Sequence, residues 1–105
     1  MVVDLAPRLL TLSRALVQRP GCPDTIREWD SFDAFGLASD CVDEAHTQHL
    51  LGRWVRAFTA MDEAMVHLRR ADLSESDIDL VEASALWGAL ADLAYPEDRE
   101  AVAHG

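Results

Sequence analysis

Near the start of the chain, Leu5, Leu9, Leu12 and Leu16 recur at spacings of three and four, which places them on one side of an α-helix. Leu10 and Val17 broaden this stripe, while Arg8, Arg14 and Arg19 fall among the polar positions. Asp4 stands where a cap belongs, and Pro7 is tolerated in an opening turn whose amides lack intrahelical partners. Arg19 suits the negative end of the helix dipole. The helix is expected to stop at Arg19-Pro20-Gly21, where the turn PGCPD begins. Thr25 and Glu28 then fit a capping box ahead of a short helix or turn carrying Ile26 and Trp29. Phe32, Phe35 and Leu37, spaced in twos and threes around Gly36, fit a helical turn or an irregular packed loop equally well. Their aromatic rings are expected to close one end of the core.

The run from Ser39 to Arg70 contains neither proline nor a turn cluster, and Ser39 or Asp40 is its expected cap. Leu51, Trp54, Phe58, Met61, Met65 and Leu68 form one helical stripe within it. At about 100° per residue, Ala38, Cys41, Val42 and Ala45 point well away from that stripe. Either one continuous helix buries different faces in its two halves, or the helix breaks near Gly52, where glycine costs about 1 kcal/mol relative to alanine. The preferred reading is a long helix touching different neighbours at its two ends, one of them a second subunit. Trp54, Phe58, Met61 and Met65 are then core or subunit interface.

After Arg69-Arg70, ADLSES supplies a turn, and Ser74 with Asp77 marks another helix start. The last main helix runs through Ile78, Val81, Leu86, Leu90 and Leu93, with Ala85, Ala89 and Ala94 beside them, small side chains that let another helix approach closely. Pro96 ends it or opens a short terminal helix over residues 97–103.

Composition narrows the fold. Half of the 105 residues are hydrophobic, with leucine and alanine far ahead of β-branched residues, so helices are favoured over strands. The expected architecture is all-α: one domain spanning residues 1–105, a compact bundle of about four helices around a long central one. Three tryptophans and more apolar helix faces than such a chain buries alone favour a homodimer.

Charge narrows the partners. Nine basic residues, all arginine, stand against 19 acidic ones, for a net charge of -10. Such a molecule repels phosphate backbones and anionic membranes, which argues against direct nucleic-acid binding. No apolar run approaches the roughly 20 residues that span a bilayer. The start MVVDLAPRLL lacks the pattern of a secretory signal, so the cytoplasm is the expected location and Cys22 and Cys41 are expected to stay reduced.

Candidate chemistry is sparse, and no cofactor motif is legible. Cys41, Asp43, Glu44, His46 and His49 lie close together, with Glu63 and His67 further on, but their spacings match neither a di-iron helix pair nor a zinc pattern. No serine sits in a Gly-x-Ser-x-Gly elbow, and Asp62-Glu63, adjacent on a helix, diverge too far to act as a dyad. Arg99 followed five residues later by His104, in an all-helical chain of this size, resembles the active-site pattern of the HEPN ribonucleases. The resemblance implies an RNA-cleaving role for those two residues. It covers only the terminal six residues, with Glu100 where the family carries a polar residue and no following aromatic. Leu86-Trp87-Gly88-Ala89-Leu90 resembles a fragment of a tetratricopeptide helix without a repeat to support it.

The remaining signal is acidic clustering. Asp72, Glu75, Asp77, Asp79 and Glu82 occur with no base among them, and Asp24, Glu28, Asp30 and Asp33 form a second group. Acids at helix starts serve the macrodipole. The same density also offers an arginine-rich protein a negative surface, or imitates nucleic-acid phosphates toward a protein that binds them. Along Arg53, Arg56, Glu63, His67 and Arg70 the long helix instead carries a mixed polar stripe. The functional expectation is therefore a small acidic protein-interaction module, an inhibitor or adaptor, with Asp72, Glu75, Asp77, Asp79 and Glu82 as contact residues. The alternative is a helical metal-binding protein using His46, His49 and His67, or a HEPN-like ribonuclease using Arg99 and His104.

Overall fold

The computed structural model describes residues 4–19 and 29–96. The PGCPD turn, Cys22, Thr25 with Glu28, and the terminal residues including Arg99 and His104 lie outside them. The described chain is an all-α four-helix bundle: α1 (Ala6–Val17), α2 (Trp29–Leu50), α3 (Trp54–Arg70) and α4 (Ile78–Ala94). Each helix packs on two others in the cyclic order α1, α2, α3, α4, with the closest association between α2 and α3 and the slightest between α1 and α4.

The stripe Leu5, Leu9, Leu12 and Leu16 lies in the core at 2% exposure or less. Full burial of one such leucine stabilises by about 1.5–3 kcal/mol. Asp4 caps from one position further out than a standard cap, its carboxylate accepting the Ala6 amide at 3.0 Å. Val17 does not broaden the stripe; it is 64% exposed on the side facing away from the bundle.

Ser39 and Asp40 lie inside α2 rather than at its start, because the helix begins at Trp29 and absorbs Phe35, Gly36 and Leu37. The Ser39 hydroxyl donates to the Ser13 carbonyl of α1 at 3.0 Å, and the Ser13 hydroxyl donates to Asp43 at 2.5 Å. Both serines are buried. Their small side chains, with Ala38 and Ala45, let α1 and α2 approach closely while every buried hydroxyl keeps a partner.

Of the two alternatives for residues 39–70, the structure takes the break. Gly52 adopts φ +71°, donating its amide to the His49 carbonyl at 3.1 Å while the Arg53 amide reaches the Gln48 carbonyl at 2.9 Å. This is the Schellman arrangement with glycine at the left-handed position. The continuous helix is thereby overturned, and the phase change along the sequence becomes a reversal of chain direction. Leu51, in the turn, leaves the stripe and is 58% exposed, whereas Met61, Met65 and Leu68 enter the core of their own chain.

α4 is capped by Asp77, not Ser74: the Asp77 carboxylate accepts the Asp79 and Leu80 amides at 3.0 and 3.3 Å. The helix ends at Tyr95 because the following Pro96 disfavours helical backbone there. Leu86 and Leu90 are fully buried, as the spacing predicts, but Ile78 is 81% and Val81 53% exposed. α4 is apolar on nearly every side, so its periodicity could not say which side would be covered.

Candidate functional site

Two ion-pair groups and a groove define the seam between α1 and α4. Arg8 holds Glu82 through two hydrogen bonds, at 2.6 and 3.1 Å. Arg19, just past the end of α1, bonds Asp77 at 2.8 Å and Asp79 at 3.0 Å, its guanidinium 4.6 Å from the centre of the Phe35 ring. Since Arg8 meets Glu82 while the later Arg19 meets the earlier Asp77, the two helices run in opposite directions. The Arg19 hydrogen bond holds the Asp77 carboxyl below the ordinary aspartate range, with burial opposing and the Leu80 amide assisting. Arg8 does the same for Glu82. Both guanidinium groups in turn hold their protons more tightly, through those same hydrogen bonds.

Along the seam runs an open groove of about 370 Å³, walled by Thr11, Leu12 and Ala15 of α1 and by Ile78, Val81 and Ala85 of α4, with Asp79 and Glu82 beside them. Its surface is mainly apolar. Leu12 is the buried floor on the α1 side, with Thr11 and Ala15 at its edge, whereas α4 presents the exposed row Ile78, Val81 and Ala85.

The five acids named from the sequence therefore do different things. Asp77 and Asp79 are engaged by Arg19, just past α1, and Glu82 by Arg8 of α1. Asp72 and Glu75 lie exposed in the α3–α4 turn, Asp72 at φ +54° in the left-handed position that ends α3. Of the four interface residues, Met61 and Met65 are covered by their own chain. Phe58 is half-buried among aromatic rings, 5.6 Å from Trp87 and 5.6 Å from Tyr95. Trp54 is 37% exposed at the α2–α3 turn, beside exposed Leu50, Leu51 and Val55. The Trp87 indole donates to Asp62 at 3.0 Å, tying α3 to α4.

The three described histidines do not converge. His49 is buried against Trp54, ring centres 5.3 Å apart, with Nε2 3.8 Å from Asp4. His46 and His67 are half-buried on α2 and α3. Among the described residues no group of three or more histidine, cysteine, aspartate or glutamate side chains could hold a metal ion. Burial first, then the nearby Glu63 and Asp40 carboxylates, pushes the Cys41 thiol above its ordinary value, which disfavours the reactive thiolate. No helix among the described residues is long and apolar enough to cross a membrane.

Sequence reasoning missed the groove and the pairing of its two walls. The available signal was the make-up of the two helices: residues 6–19 hold three arginines and no acid, and residues 71–96 hold acids and no base. Set against these features, the comparisons are silent: no protein-family model, no curated protein and no solved structure matches the chain.

Proposed function

We propose that the chain is a small acidic protein-interaction module of the cytoplasm, an inhibitor or adaptor that binds another protein through the acid-rich start of α4 and that also self-associates as a homodimer. The supporting observation is Ile78, 81% exposed between Asp77 and Asp79 and close to the exposed acids Asp72 and Glu75. A large apolar side chain exposed at a helix start and flanked along the chain by carboxylates is a surface suited to a basic protein partner, the apolar contact supplying affinity and the acids orientation and on-rate. Asp72 and Glu75 are the free contacts of this surface. Glu82 and Arg8 have side chains 36% and 44% exposed. An exposed pair of this kind is worth about 0–1 kcal/mol, so a partner's arginine can displace Arg8 at small cost.

The test is capture of basic proteins from an extract of the native host by the immobilised chain and by the variant Asp72→Asn/Glu75→Gln. Asparagine is well tolerated at a left-handed position, so the variant keeps the fold while removing two charges. A species held by the parent chain and lost by the variant, with unchanged helical circular dichroism, supports the reading. Equal capture by both removes the acids from the contact.

A further inference from the structure

We infer that the self-association in this reading is built on the α1–α4 seam, with a second copy of the chain as the occupant of the groove. A helix apolar on nearly every side belongs in an interior, yet among the described residues α4 is covered only by α3 and, slightly, by α1. Of its 17 residues only Asp79, Glu82 and Asp92 are charged, and the row Ile78, Val81, Ala85 and Gly88 faces outward. A side chain added at Gly88 would meet nothing within 4 Å, so a neighbouring helix has room to come close there.

Charge selects the occupant. The α1 side is a basic wall, with Arg8, Arg14 and, just past the helix end, Arg19 and no acid; the α4 side is an acidic wall, with the capping Asp77, then Asp79 and Glu82, and no base. A two-fold axis running along the seam sets the α1 of each copy against the α4 of the other, so that both contacts join opposite charges. An axis across the helices would set arginine against arginine. Arg14 follows Thr11 by three residues and so flanks the groove, and it has no ion pair among the described residues. In the two-fold arrangement it faces the Asp79 and Glu82 wall of the other copy, and the two Ile78 side chains fill each other's groove, so that the homodimer and a basic partner compete for this surface.

The face available is that of two short helices, roughly 20 Å on a side at 1.5 Å per residue. Face-to-face contact buries on the order of 1,000 Å² in total, the low end of specific interfaces, which suits a reversible dimer. Sedimentation equilibrium of the full chain at about 0.15 M salt, where the Debye length is about 8 Å and the -10 charge of each copy is screened, reads this directly.

The expected result is a mass rising from monomer to dimer between about 1 and 100 μM. Ile78→Asp/Val81→Asp is expected to remain monomeric throughout, with its helical circular dichroism intact because both side chains are largely exposed. Arg14→Glu is expected to weaken association roughly tenfold. A dimer of unchanged affinity in the Ile78→Asp/Val81→Asp variant overturns the seam as the contact while leaving self-association standing. A monomeric mass at every concentration overturns both and leaves the groove to a helix from a different protein.

Discussion

A single oxygen of Asp77 accepts the Asp79 amide, the Leu80 amide and the Arg19 guanidinium, so one atom both starts α4 and fastens it to the end of α1. Two substitutions separate these tasks. Asp77→Asn keeps a good helix cap and loses the charge; Asp77→Ala loses both, at a further cost of about 1 kcal/mol for the cap. Urea unfolding followed by circular dichroism at neutral pH is expected to rank parent, asparagine and alanine in that order. The ranking should also depend on pH. Asp77 and Glu82 hold protons less tightly folded than unfolded, so their contribution is fully present above the ordinary carboxylate range, near pH ~4, and is lost as pH falls through their depressed folded values. In the asparagine variant part of that acid sensitivity is expected to vanish; an unchanged acid profile would mean that Arg19 does not hold this carboxylate.

At the scale of elements, the turn at Gly52 decides the architecture, since it converts a 32-residue run into two antiparallel partners with alanine-rich facing sides. A side chain at this glycine would be no closer than 4.0 Å to Trp54, so crowding is absent and only the positive φ matters. Gly52→Ala is therefore expected to lower stability by about 1–2 kcal/mol, the cost of a left-handed L-residue. In a continuous helix the same substitution would raise stability by about 1 kcal/mol. The sign of the shift in the urea midpoint distinguishes the two. Along residues 39–70 the sequence supplied the phase change and the glycine, but both continuous and broken helices satisfied them. What decided was the gain from laying Ala38, Val42 and Ala45 against the same core as Ala57, Met61 and Ala64.

For the whole molecule, long-range repulsion competes with local attraction. The Arg8–Glu82 and Arg19–Asp77 contacts weaken as salt is added, whereas the self-repulsion of a -10 chain is relieved. Surface pairs are worth about 0–1 kcal/mol each, and 19 acids against nine bases are present throughout. Relief of repulsion should win, and the melting temperature at neutral pH is expected to rise between about 0.01 and 0.5 M sodium chloride, where the Debye length shrinks from about 30 Å to below 8 Å. A fall would show that the seam ion pairs dominate the electrostatics of the fold.

The sequence by itself determined the helical class, the buried stripe of α1, a helix start within Ser74 to Asp77 and the stop before Pro96. Each follows from local periodicity or from the backbone chemistry of one or two residues. The tertiary structure alone decided which acids remain free, because whether Asp77, Asp79 and Glu82 meet arginines depends on α1 and α4 becoming neighbours across 58 to 74 positions of chain. It also decided which side of α4 stays uncovered. A helix apolar all round carries no internal mark of its outward face, and only the placing of α1 and α3 leaves Ile78 and Val81 exposed to solvent.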